Sequence, residues 1–309
     1  YDNNVRIINN RCEDLGGSCV LMNGVWKGLL EKNLFIRSGA LVEPELSVNR
    51  GSGAWFFRSR HIVAQHNIAY GSRGHNDSAG IHVDFANQDV LVQYNFTYDN
   101  EGYGTEILGK NKNIIWRYNI SVGDGTRKIN TKRPEGGKSN FPGKTIFVSD
   151  FAEPKRELSE DIYIYNNTYV INAKSDPLVE LNANRLNIWN NLFIVDDGSR
   201  LGRKVNLGWT KGEAINIKGN IFVGNISPNF IGLDQQSKIR NFSYEGYGDK
   251  PLNFAFPKKN VASDFLIKHP NFEMAEKGIF SHIKEIPEFD YFNNIISNDF
   301  IFSGAGHAK

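Results

Sequence analysis

An asparagine that returns in the same local setting constrains this chain more than any other feature. It closes residues 5–10 (VRIINN), 62–67 (IVAQHN), 90–95 (VLVQYN), 114–119 (IIWRYN), 162–167 (IYIYNN), 186–191 (LNIWNN) and 215–220 (INIKGN). The spacings between these asparagines are 57, 28, 24, 48, 24 and 29 residues. They read as one or two units of about 24 residues padded by loops, and a fixed period of that size predicts a solenoid. A solenoid lays one strand of every turn into a single long sheet, a surface suited to extended polymers.

Alignment on the asparagine shows what each unit contains. Apolar residues stand five and three positions before it (Ile62/Ala64, Val90/Val92, Ile114/Trp116) and one and three after it (Ile68/Tyr70, Phe96/Tyr98, Ile120/Val122). This period of two predicts strand, turn, strand with one buried face. About a dozen residues upstream lies a third short strand, at residues 80–85, 105–108, 145–150, 178–181 and 205–207. Three strands per turn predict an all-β fold, a right-handed parallel β-helix with coils of about 24 residues. The asparagine at the bend then stacks on its equivalents as an amide ladder. This structural role also accounts for the tripeptides beginning at Asn95, Asn119 and Asn166, which match a glycosylation pattern. The 48-residue spacing has room for two turns but shows one clear coil, so the Gly-, Lys- and Arg-rich stretch 123–143 reads as a functional loop beside the third strand. The period fades after Asn225. Residues 1–225 are expected to form the β-helix and 226–309 an irregular extension that caps it.

The 309 residues carry a net charge of +2 with no long basic or acidic run, which disfavours nucleic acid or an anionic membrane as the main partner. No apolar run is long enough to span a membrane. Cys12 and Cys19 are seven residues apart and leave a disulfide, two core thiols or neither open. No phosphate-binding loop, dinucleotide fingerprint, paired Cys-x-x-Cys or esterase elbow is present. Neither oligomeric state nor a resident cofactor is indicated.

The chemistry is expected on the third sheet. Alternation within residues 80–85 buries Ile81 and Val83 and turns His82 and Asp84 outward. One period later Glu106 stacks over His82. Strands about 4.8 Å apart and residues about 6.6 Å apart along a strand put Asp84 and Glu106 roughly 8 Å from each other, within reach of an inverting glycosidase pair. Asp84, Glu106 and His82 are therefore the expected catalytic group. One acid would protonate the leaving oxygen while the other activates water. Flanking loops add His75, Asp77, Asp99 and Glu101, and the next turn adds Lys144, Ser149 and Asp150. Lys144, with Arg127, Lys128, Lys132 and Arg133 of the insertion, is expected to meet sulfate or carboxylate groups of a polymer. Trp55, Tyr103 and Trp209 are candidates for stacking on sugar rings.

These repeats resemble the pectin-lyase-like right-handed β-helix superfamily over about residues 5–225. The stretch from Gly80-Ile-His-Val-Asp-Phe85 to Tyr94-Asn-Phe-Thr-Tyr-Asp-Asn-Glu-Gly-Tyr-Gly104 looks like secreted bacterial members found among polysaccharide-degrading enzymes. The polygalacturonase and epimerase strings are missing. Residues 104–110 resemble in part the Glu-rich strand of alginate and chondroitin lyases, matching at Glu106 and Lys110 and lacking a second acidic ligand. The resemblance implies a secreted, periplasmic or cell-surface protein that acts on a polysaccharide or its oligosaccharides. The expected activity is glycoside hydrolysis of an acidic polysaccharide by paired carboxylates, with no cofactor. The alternatives are a polysaccharide lyase, for which Ca²⁺ and a base such as His82 or Lys144 would be needed, and a noncatalytic carbohydrate-binding β-helix.

Overall fold

A computed structural model describes residues 2–41, 50–130, 139, 141–208, 215–235, 238–240, 287–296 and 304–306. Within them the chain winds as a right-handed parallel β-helix of three sheets. The first sheet stacks Asp2–Ile8, Val25–Glu31, Arg60–Gln65, Gln88–Gln93, Lys112–Arg117, Ser159–Tyr165, Ala183–Trp189 and Ile215–Lys218. The second stacks Arg11–Leu15, Leu34–Ser38, Ile68–Tyr70, Phe96–Tyr98, Ile120–Val122, Thr168–Ile171, Leu192–Val195, Ile221–Val223 and Lys238–Arg240. The third stacks Val20–Asn23, Ala54–Phe57, Ile81–Val83, Tyr103–Ile107, Lys144–Val148, Leu178–Leu181 and Val205–Asn206.

Why the asparagine recurs is visible at the bend between the first and second sheets. The residue before it takes a left-handed conformation in each coil, as in Lys32, His66, Tyr94, Tyr118, Asn166 and Asn190, which turns the chain sharply. The amide that follows is held by several bonds. Asn119 Oδ1 accepts from the backbone N–H and side-chain amide of Asn95 at 2.9 and 3.0 Å. Its Nδ2 donates to Val92 O, Arg117 O and Asn167 Oδ1, all at 3.0 Å. The ladder runs through Asn10, Asn33, Asn67, Asn95, Asn119, Asn167, Asn191 and Asn220, and Asp234 accepts at its end. Asn33 fills the 57-residue interval as an additional rung. Asn119 bonds directly to Asn167, so the 48-residue interval is one turn with insertions.

Two further polar ladders hold the other corners. Ser59, Asn87, Asn111 and Ser159 link the third sheet to the first. Ser72, Asn100 and Asp124 link the second to the third. Burial pushes the Asp124 carboxyl up to about 7, although Ser121, Thr97 and Asn100 all bond to it.

The main core contains Ile62, Val90, Ile114 and Ile162 from the first sheet, as the period of two requires. On the second sheet the expected face is inverted. The core receives the residues two after the asparagine (Phe35, Ala69, Tyr169, Phe193 and Phe222), while Phe96, Ile120, Val122, Val170 and Leu192 form a separate outer cluster. The left-handed residue at the bend shifts the alternation by one position. That outer cluster is buried beneath Tyr291, Phe292 and Ala305, so part of the C-terminal region packs on the second sheet. Cys12 and Cys19 form a disulfide in the first coil. No helix among the described residues is long and apolar enough to cross a membrane.

Candidate functional site

On the outer side of the third sheet the register lines up Leu21, Trp55, His82, Glu106, Phe147, Glu180 and Asn206. Leu21 pairs with Trp55 and Trp55 with His82. Ile107 opposite Val83 sets Glu106 one rung beyond His82, and the row continues through Phe147, Glu180 and Asn206. The stacking of Glu106 over His82 inferred from the period is thus present. The strand carrying His82 is shorter than expected, and Asp84 lies just past its end.

These groups point away from the solenoid core, yet they are not solvated. His82 and Glu106 have no exposed surface and Asp84 retains 7 %. The expectation of an open sheet face fails because loops at the corner between the second and third sheets fold over it. Arg127 ties that cover together. Its guanidinium donates to the backbone oxygens of Phe141, Gly74 and Asn76, to Ser78 Oγ and to Tyr103 Oη. Glu101 Oε1 accepts from the Gly74 N–H at 2.7 Å, and Ser139 Oγ donates to His75 O at 3.0 Å. The close approach of chains here requires glycine at position 51, where a Cβ would sit 1.8 Å from the Arg73 carbonyl oxygen.

The imidazole of His82 lies between acids. Its Nδ1 is 3.0 Å from Ser52 Oγ and 3.4 Å from Glu106 Oε2, and its Nε2 is 3.8 Å from Asp84 Oδ2. Ser52 Oγ accepts from the Ala79 N–H, and Asp84 Oδ1 accepts from the Phe85 N–H. Neither oxygen of Glu106 has a hydrogen-bond partner, nor has His82 Nε2 or Trp55 Nε1. Burial pushes the Glu106 carboxyl up to about 8, opposed by His82 and reinforced by Asp77 and Asp84. Burial pulls His82 down, but the charges of Glu106, Asp84 and Asp77 outweigh it and raise the imidazole to about 9. Asp77 is thereby a third acid of the cluster. Its side chain is 23 % exposed and lies 3.9 Å from Arg50, and its backbone oxygen accepts from the Gly51 N–H.

The remaining expected residues divide into those that keep exposed surface and those buried around the cluster. Trp55 is half-buried and stacks on His82 with ring centroids 5.3 Å apart. His75 and Asp77 are half-buried in the adjacent loop. Tyr103 is buried at 3 % exposure rather than available for stacking, and burial raises its phenol far above the usual range. Glu101 and Asp150 are buried, and Asp150 pairs with Arg156 at 2.7 Å. Ser149 is buried, while Asp99 pairs with Arg73. Two of the five cations expected to meet an anionic polymer, Arg127 and Lys144, are engaged internally, while Lys128 lies on the exposed surface. Arg127 is bonded as described. Lys144 lies 3.5 Å from Glu180 and 3.6 Å from the centre of the Phe147 ring, with burial lowering its pKa against the pull of Glu180. Trp209, Lys132 and Arg133 lie outside the described residues. Among the described residues no three His, Cys, Asp or Glu side chains are grouped to hold a metal ion.

Sequence reasoning overlooked Ser52 and Glu180. Glu180 was accessible by continuing the column from His82 and Glu106 through Phe147. Ser52 comes from a loop ahead of a strand that the repeat did not reveal.

No family model matches this chain. It is 26 % identical over 203 residues to a lacto-N-biosidase of Bifidobacterium longum subsp. longum, a match covering 62 % of this chain and 11 % of that protein. A solved structure, the surface protein and adhesin PfbA of Streptococcus pneumoniae, aligns with a TM-score of 0.47 at 11 % identity, covering 80 % of this chain and 66 % of that one. The matches span about a tenth of the first protein's length and about two thirds of the second.

Proposed function

We propose that this chain is a glycoside hydrolase whose site is the acidic cluster around His82, and that its substrate is a neutral glycan. The observation carrying this reading is the cluster itself: Asp77, Asp84 and Glu106 gather about one imidazole, and Asp77 and Asp84 keep exposed side-chain surface. A group that reacts must touch the sugar. Asp84 and Asp77 can do so from the mouth, whereas Glu106 lies behind them. One of the two reachable acids protonates the glycosidic oxygen and the other activates water or attacks the anomeric carbon. Trp55 offers a half-exposed ring beside them for the apolar face of a sugar. The likeness to a lacto-N-biosidase, limited to a tenth of that protein, supports action on a glycan.

The substrate departs from the anionic polymer suggested by the loop cations. Lys144 and Arg127 are already neutralised or bonded and Arg50 is drawn to Asp77, so the buried cations do not meet a uronate or sulfate, which Asp84 would repel. The disulfide between Cys12 and Cys19 fits an extracytoplasmic setting. A panel of neutral and uronate-bearing glycans, read for new reducing ends and for ultraviolet absorbance together, tests the reading. Reducing ends from a neutral glycan without absorbance support it. An absorbing product from a uronate polymer would show β-elimination and overturn it.

A further inference from the structure

We propose that Glu106 is not an acid that touches substrate but a positioning residue, which stores a proton behind His82 for delivery to Asp84. The catalytic part of this inference rests on the hydrolase reading, whereas the stored proton does not.

The geometry leaves Glu106 little alternative. Its carboxyl has no exposed surface, and neither oxygen accepts a hydrogen bond. An ionised carboxylate in that position would be a buried charge without a donor, among the costliest arrangements in a protein interior. The charged groups that bear on it are His82, Asp77, Asp84 and Arg127. Lys144 also interacts with it but is paired with Glu180. Arg127 spends its donors on the loops and Tyr103. With two other acids nearby, a proton on Glu106 relieves both the desolvation and the repulsion. Its contact is His82 Nδ1 at 3.4 Å, and the opposite nitrogen of the same ring faces Asp84 at 3.8 Å. Both separations exceed a formed hydrogen bond, as is common in sites without substrate.

The step balances without any outside reagent. With Glu106 protonated, the charge that chiefly raises His82 is gone, burial favours the neutral ring, and its proton rests on Nε2. Glu106 O–H then gives its proton to Nδ1 as Nε2–H gives its own to Asp84 Oδ2. Asp84 then protonates the glycosidic oxygen as the C–O bond breaks and its electron pair goes to the leaving group. The imidazole ends neutral with the proton on the other nitrogen and Glu106 ends as carboxylate. Asp77 takes the proton of the attacking water, and its release to Asp84 and back through the ring restores Glu106 O–H. Ser52 Oγ, 3.0 Å from Nδ1, fixes the ring for both tautomers because a hydroxyl can accept or donate.

Carbon-13 labelling of glutamate in the intact wild-type protein tests the stored proton without a variant. One glutamate carboxyl should keep its acid-form shift at pH 6 and titrate only above about pH 7, as burial demands. That resonance should vanish in Glu106→Gln. All glutamates ionised at pH 6 would overturn the proposal. On a cleaved glycan, Glu106→Gln should cut kcat about tenfold with KM altered less than twofold, and should move the alkaline limb of the kcat profile. A loss as large as that of Asp84→Asn would put Glu106 at the reacting atoms and overturn the proposal. If the resonance behaves as expected but no glycan is cleaved, the stored proton stands and the hydrolase reading falls.

Discussion

The asparagine ladder and the rung carrying His82 and Glu106 arise from the same winding, yet they treat buried polar atoms in opposite ways. At the bend, the Asn119 amide receives two bonds and makes three. On the third sheet, Glu106 and His82 Nε2 are equally buried and have no partner. Unmade hydrogen bonds in an interior are costly, so they persist where another task requires them. The ladder therefore reads as the source of rigidity and the rung as the site that this rigidity holds in place.

Substitutions should separate these two regions. The largest effect is expected at the mouth. Asp84→Asn should lower kcat on the best glycan about 10²–10⁴-fold with the melting temperature nearly unchanged, as initial rates and calorimetry would show. A large loss of stability with little loss of turnover would reverse the assignment. Asn119→Ala should do the opposite. It strips five hydrogen bonds, among them those to Val92 O, Arg117 O and the Asn95 N–H. Chemical denaturation should report a loss of about 3 kcal/mol.

The pH dependence of stability sharpens the contrast. Against the cost of burial, His82 is raised from 6.5 to about 9 chiefly by the charge of an ionised Glu106, so the proton that the pair holds is bound in the fold and lost, with its stability, as the pH climbs toward about 9. Glu106 rises from 4.5 to about 8, so the fold favours its acid form and loses stability as the pH climbs from 4.5 through about 8. Both have the same sign, and the two groups titrate as a pair. Melting temperature should therefore fall from neutral to alkaline pH in the wild type and fall less steeply in Glu106→Gln. A smaller effect is expected at Trp55→Ala, where a several-fold rise in KM, about 1 kcal/mol, would mark the loss of a sugar platform. Cys12→Ser, one coil before the strand carrying Trp55, should cost no more than about 2 kcal/mol and lower turnover less than any substitution above.

Much of the scaffold was legible because each coil repeats one physical demand. A left-handed residue followed by a buried amide marks the corner, and apolar alternation before it marks the first sheet. The second sheet misled because the bend shifts the alternation, which no count of apolar residues from the asparagine reveals. Ile120 and Val122 looked like core and instead lie beneath the C-terminal residues. At the site, the period placed Glu106 over His82 correctly. It could not show that residues 71–78 and the segment around Arg127 close over that face, since contacts such as Arg127 to Gly74 and Asn76 join loops about fifty residues apart. Nor could loop composition reveal that Lys144 is neutralised by Glu180 on the neighbouring coil.

The central claim is that the reachable carboxylates of this cluster break a glycosidic bond in a neutral glycan. Its most direct test is the rate of reducing-end release by Asp77→Asn, Asp84→Asn and Glu106→Gln, each checked for an unchanged fold. The account predicts that the first two are nearly inactive and the third retains about a tenth of wild-type turnover. Full activity in both aspartate variants, or wild-type protein inert toward every neutral glycan, would contradict it.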